Sequence, residues 1–150
     1  ITIGRSKTFE NLKSKTFTYS HTVVKDNLSK LGVVVSLEFD ENSNDIEQFG
    51  KQISMHIAAS NPISIDKNDI QENIIEKEKE IIKEELKNLG KPKEIVEKIS
   101  LGKINKFKED NSLLTQDWVM DPKLKVKDIL TKVDSKSLKI KDFIRIKIGE

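Results

Sequence analysis

At 150 residues the chain has room for one domain, or for one domain carrying an insertion. Hydrophobic residues make up 35% of it, enough for a thin core, and a further 35% are charged, above the usual quarter or so, which calls for the extra surface of a protruding helical hairpin. The formal net charge is only +2, two of 27 basic residues are arginine, and cysteine is absent, so dedicated nucleic-acid binding is disfavoured and disulfides, zinc ribbons and thiol nucleophiles are excluded.

Along the chain, residues Lys15 to Thr22 alternate, with Phe17, Tyr19 and His21 on one side and Thr16, Thr18 and Ser20 on the other. This pattern predicts a strand with one polar face. Val23 to Lys30 reads as a loop or short turn. Leu31 to Phe39 is a β-branched apolar run and the best candidate for a central strand. Asp40 to Asn44 has turn and N-cap composition. A helix is predicted from Asp45 to Ala59, where Ile46, Phe49, Ile53, Ile57 and the adjacent Ala58 form one stripe. Asn61-Pro62 ends it, because proline disfavours helix in the residue before it.

Ile63 to Ile65 is short and extended. Asn68 to Leu89 reads as a long helix, roughly 30 Å in length, with Asp69 and Glu72 at its positive end. Ile75, Ile82 and Leu89 lie seven apart in it, flanked by Ile74, Ile81 and Leu86. Gly90 supplies a left-handed C-cap, and Pro92 sits where a new helix tolerates a missing N–H. The second helix runs from Pro92 to Lys108 with Ile95, Val96, Ile99, Ile104 and Phe107 as its stripe. Two apolar stripes joined by a Gly-Lys-Pro turn describe an antiparallel helical hairpin. A polar break at Glu109 to Ser112 follows. Leu113 to Met120 is part extended and holds Trp118, and a short helix is expected from Asp121-Pro122 to Val133. The last strand spans Leu138 to Ile148, with a slip in phase at Lys141-Asp142 that predicts a bulge. The expected class is α+β: a small antiparallel sheet with flanking helices, interrupted by an inserted antiparallel helical hairpin.

Covalent chemistry finds no support. The chain has two histidines, His21 on a strand and His56 on a helix, and neither sits among further ligands at zinc spacing. His56 borders an apolar stripe and reads as a partly buried histidine with a satisfied hydrogen bond, whereas His21 is suited to a surface contact. No G-x-S-x-G, Walker loop or G-x-G-x-x-G occurs, so no nucleophile elbow or phosphate cradle is expected, and no cofactor. Glu76, Glu78, Glu80, Glu84 and Glu85 alternate with lysines as a solvated helix face. Trp118 is expected to anchor a core or an interface. No apolar run approaches the ~20 residues of a membrane span, and no signal pattern opens the chain; the lack of cysteine suits the cytosol, and a cytoplasmic protein is expected. The first residue is Ile1, which implies a chain cut from something longer or lacking its beginning.

Four segments together carry a family resemblance. They are Ile53 to Pro62 (ISMHIAASNP); Gly90-Lys91-Pro92 with Ile95, Gly102-Lys103 and Phe107; Leu114, Gln116, Trp118, Val119, Asp121 and Pro122; and Tyr19-Ser20-His21 with Leu31-Gly32-Val33. In their order along the chain and in their spacing they resemble elongation factor Ts, the nucleotide-exchange factor for elongation factor Tu. The resemblance implies that residues 1–67 and 109–150 form the C-terminal half of that family's core, and that residues 68–108 are its coiled-coil dimerisation module. It implies elongation factor Tu, through its third domain, as partner, and a homodimer. No direct binding of nucleotide, nucleic acid or membrane is expected. By motif, Ile3, Gly4, His21, Val119 and Met120 are the implied partner-binding residues, and Ile75, Ile82, Leu86, Leu89, Ile95 and Ile99 the apolar residues of the dimerisation hairpin. The chain departs from the family in lacking its N-terminal helical domain, its other core half and its Thr-Asp-Phe-Val segment, and in stopping at Gly149-Glu150 before the C-terminal helix. A coiled-coil adaptor with an unrelated partner, working through the hairpin tip at Gly90 to Pro92, is the alternative.

Overall fold

The computed structural model describes residues 4–10, 13–26, 28–87, 90, 92–134 and 136–150. In chain order its elements are β1 (Ser14–Lys25), β2 (Leu28–Glu38), α1 (Asn44–Ser60), α2 (Glu72–Lys87), α3 (Lys93–Asn111), a 3-10 turn (Leu113–Thr115), β3 (Asp117–Trp118), β4 (Asp121–Lys125), α4 (Val126–Val133) and β5 (Lys139–Lys147). The class is α+β. The chain divides into two compact units, Ile1–Asn61 with Asp117–Glu150, and Pro62–Gln116.

The first unit is built on a three-stranded antiparallel sheet in the order β1-β2-β5. β2 is central, as its apolar run predicts. Its alternate residues Leu31, Val33, Val35 and Leu37 are buried, and α1, which packs on β1 and β2, buries Ile46, Phe49, Ile53 and Ile57. Burying a side chain of this size contributes about 1.5–3 kcal/mol, so these eight form the main apolar reserve of the unit. The ends of α1 are set chemically. The Ser43 hydroxyl accepts the Ile46 N–H at 3.2 Å, and Asn61 adopts the left-handed conformation (φ 47°) with its N–H on the Ile57 carbonyl at 3.1 Å. Midway along α1, Gly50 lies against Phe17 of β1, and a Cβ there would fall 2.4–2.5 Å from three ring atoms. Only glycine lets the helix sit this close.

The expected bulge in the last strand is present: Ser36 pairs with Asp142 and Leu37 with Ile140, which leaves Lys141 as the extra residue. Two expectations are corrected in this unit. Val23 to Lys30, expected as a loop or short turn, is strand at both ends, because β1 continues to Lys25 and β2 starts at Leu28, making a longer hairpin. Its pairing rests on backbone hydrogen bonds, while the side chains point to solvent and so show no buried alternation. Nor does a helix begin at Asp121. Asp121–Lys125 is extended and pairs with β3, Trp118 opposite Asp121, and an ion pair of Lys125 with Asp117 at 2.6 Å ties the strands. The helix starts only at Val126, where the Asp128 carboxylate accepts the Lys125 N–H at 3.0 Å.

In the second unit α2 and α3 pack side by side, as the two stripes predict. Ile70, Ile75, Ile82, Leu86 and Ile104 are buried together, with Ile74, Val96, Ile99 and Phe107 half-buried around them. The helix limits shift. Asn68 to Gln71 precede α2, because the Asp66 side chain accepts the Asn68 N–H at 2.9 Å and holds a turn there. α3 runs through the supposed polar break as far as Asn111. The unit also reaches beyond the 68–108 expected for the insertion. Its base is closed by a parallel bridge between Ser64 and Ser112, by backbone bonds from Ile63 to Asn111 and from Leu113 to Ser64 (both 2.9 Å), and by the two serine hydroxyls at 3.2 Å.

Candidate functional site

Successive residues of a strand point to opposite faces, so Tyr19 and His21, two apart on β1, stand next to each other on one face. Their rings stack at 6.1 Å between centroids, and the Tyr19 hydroxyl lies 3.3 Å from His21 Nδ1. Leu31, directly opposite His21 on β2, forms the neighbouring wall. The last two turns of α1 contribute Met55, Ala58 and Ala59. Because two alanines stand where larger side chains would fill the space, a groove of about 190 Å³ is left open, lined by these six residues. Its helical side is held by Arg145 of β5, whose Nε donates to the Ala58 carbonyl at 3.2 Å, one of the carbonyls that a helix C-terminus leaves without a partner in the helix. Arg145 in turn pairs with Glu150 at 2.7 Å. Hydrogen bonds from Lys147 and then Arg145 hold the Glu150 carboxyl below its ordinary pKa.

A second part of the site is organised by His56, the residue after Met55. His56 is fully buried and stacks on Trp118 at 5.2 Å, while Phe49 stacks on the same indole at 6.0 Å. Its Nδ1 accepts the backbone N–H of Val119 at 3.3 Å. This bond fixes the turn between β3 and β4, and at that turn Val119 and Met120 are both exposed. Neighbouring residues of one helix thus have two tasks: Met55 lines the groove, and His56 positions the Val119–Met120 turn. The expected satisfied hydrogen bond of His56 is present, but the ring is fully buried and not partly so, and the bond to Val119 gives it a positioning task that its place on the stripe did not reveal.

Of the residues singled out from the sequence, His21 lies in the groove and is exposed, and Val119 and Met120 stand exposed on their turn outside its lining. Gly4 is exposed, with open space around it. Ile3 lies outside the described residues, as does Leu89. In the hairpin, Ile75, Ile82 and Leu86 are buried in its own core, Ile99 is half-buried against that core, and Ile95 is exposed, as are Ile81 and Leu101. Met55, Ala58 and Ala59 belong to the Ile53–Pro62 motif but are not among the implied partner-binding residues, and Ala58, expected beside the core stripe, lines the groove. The available signal was an apolar Met55 lying off the Ile53–Ile57 stripe, on the side of the helix away from the core.

Chemically the groove is an apolar socket with an aromatic and imidazole wall. Among the described residues no group of three or more His, Asp or Glu is placed to hold a metal ion, and no helix is long and apolar enough to cross a membrane.

A family model described as elongation factor TS matches residues 1–150. Elongation factor Ts of Bartonella henselae is 39% identical over 159 residues, covering 99% of this chain and 52% of that protein. Elongation factor Ts of Erythrobacter litoralis is 36% identical over 158 residues, covering 99% and 51%. That of Orientia tsutsugamushi is 37% identical over 135 residues, covering 88% and 44%. The chain therefore spans about half the length of the curated relatives it matches.

Proposed function

This chain belongs to the elongation factor Ts family, and on that premise we propose that it is the partner-gripping portion of a guanine nucleotide exchange factor that docks on elongation factor Tu. The observation that carries the reading is the exposed groove with His21 at its rim, beside a helix that also holds Val119 and Met120 outward. Apolar anchors of this kind around a shaped pocket are what a protein interface uses for most of its binding energy.

Exchange of this type breaks no covalent bond. The factor binds the nucleotide-free partner more tightly than the nucleotide-bound one, and by linkage it lowers nucleotide affinity by the same factor. A coupling of about 4–5 kcal/mol corresponds to a change of several thousand-fold. This chain supplies one attachment, and joining it to a second on the same molecule raises the effective concentration of each. The setting is the cytoplasm, where elongation takes place. The hairpin, which leaves Ile81, Ile95 and Leu101 exposed, is proposed to support a homodimer, and light scattering of a strict monomer at high concentration would count against that.

Binding of the 150-residue chain to nucleotide-free elongation factor Tu, followed by titration calorimetry, tests the grip. His21→Ala with Met120→Ala should weaken it at least about tenfold without changing the far-UV spectrum. Stopped-flow release of a fluorescent GDP should be accelerated only slightly. Unchanged titration curves for the double variant would remove the site, and full acceleration by this chain alone would remove the division of labour.

A further inference from the structure

We infer that the two-stranded arm formed by β1 and β2 beyond the groove, tipped by Val23, Val24 and Leu28, is a second contact for the same surface of elongation factor Tu that fills the groove. The inference rests on the function proposed above.

The third strand stops short of the arm. β5 pairs with β2 up to Lys147 opposite Leu31, and the Ile148 N–H reaches the Lys30 carbonyl at 2.9 Å. The rungs from Val23 opposite Ser29 to Lys25 opposite Leu28 therefore have two strands only. A bare two-stranded ribbon is marginal in water, and its apolar side chains gain most from being covered. Here they are conspicuous: Val23 is 63% exposed, Val24 67% and Leu28 60%. Thr22 has φ 54°, uncommon for a β-branched residue, and the register shifts between Val23 and Lys25. Irregularities of this kind re-aim side chains and gather near functional sites.

Size argues for the occupant. Six residues line the groove, whereas a stable interface takes about 20–30 residues and about 800 Å² from each partner, a patch roughly 16 Å in radius. At about 3.3 Å per residue, Val23 lies ~7 Å beyond His21 and Leu28 ~10 Å beyond Leu31. A partner seated over the groove with an ordinary footprint reaches as far as both along the strands, with Val23 on the groove's own face of the ribbon and Leu28 on the other. The charges at the tip, Lys25 and Asp26, cancel, so the arm sets no net charge there against the apolar side chains exposed on its two faces.

The test is calorimetric titration of nucleotide-free elongation factor Tu with the parent chain, with His21→Ala, and with a variant combining Val23→Thr, Val24→Thr and Leu28→Thr. Threonine keeps the strand preference while removing apolar surface. The arm variant should raise Kd about tenfold or more with an unchanged far-UV spectrum and Trp118 emission. If the parent itself fails to bind, the partner assignment falls, and the arm with it. If the parent binds, His21→Ala weakens it and the arm variant stays within about twofold of the parent, the arm plays no part and the grip stands. Should the triple variant misfold, Val24→Thr and Leu28→Thr are read singly by the same criterion. A change in self-association with unaltered partner affinity would overturn the inference too.

Discussion

Replacing Gly50 by alanine sets two effects against each other. In the interior of α1 alanine is favoured over glycine by about 1 kcal/mol. Against this, the new methyl would lie 2.4–2.5 Å from Cγ, Cδ1 and Cε1 of Phe17, where carbon atoms normally rest about 3.5–4.0 Å apart. The atoms struck belong to the near side of a buried ring, not to the free end of a flexible chain, so either the ring leaves its rotamer or the helix lifts from the sheet. Overpacking of this kind costs about 1–3 kcal/mol, and with three atoms in collision the upper part of that range applies. The net expectation is a loss of about 1–2 kcal/mol. Urea unfolding followed by the fluorescence of Trp118, the only tryptophan and a neighbour of Phe49 on the same helix, reads this directly. In a Phe17→Leu background the penalty of Gly50→Ala should shrink, since the two sites are in contact and their effects are not additive. A Gly50→Ala chain at least as stable as the parent would refute the close approach of α1 to β1.

Three further perturbations address other parts of the molecule. His56→Ala removes a buried ring from Trp118 and leaves the Val119 N–H without its acceptor; about 2–4 kcal/mol should be lost in the same urea titration, with a shift in tryptophan emission. Ile82→Ala hollows the hairpin core and should cost about 2–4 kcal/mol, seen as faster amide exchange along α2. The third concerns acid. The Glu47 carboxyl is held below its ordinary pKa, first by the hydrogen bond from Lys15 and then by that from Asn42. A carboxyl depressed in the folded state stabilises the fold above its unfolded pKa of about 4.3 and loses that contribution as pH falls through the lower folded value. Glu47→Gln should therefore narrow the stability difference between pH 7 and pH 3, and an identical acid profile for parent and variant would exclude this pair from the acid response.

Much of this architecture was legible before any coordinates. The alternation of Leu31, Val33, Val35 and Leu37, the stripe of Ile46, Phe49, Ile53 and Ile57, and the paired stripes on either side of Gly90 and Pro92 each report burial on one side of an element. Burial on one side is what periodicity records, so the central strand, the covering helix and the hairpin could be read directly. The extra residue at Lys141 was visible for the same reason, as a break in phase. Four short motifs in order then sufficed for the family. Tertiary structure alone decided the rest. The arm at Val23 to Leu28 and the strand at Asp121–Lys125 are held by backbone pairing with outward side chains, which leaves no apolar period to detect. The groove needs Tyr19 and His21 from one strand to meet Met55, Ala58 and Ala59 from a helix more than 30 residues away, and the ring of Phe17 must find the single helical position without a Cβ. Such meetings depend on how close two elements come, a distance set by packing between them and encoded in neither one by itself.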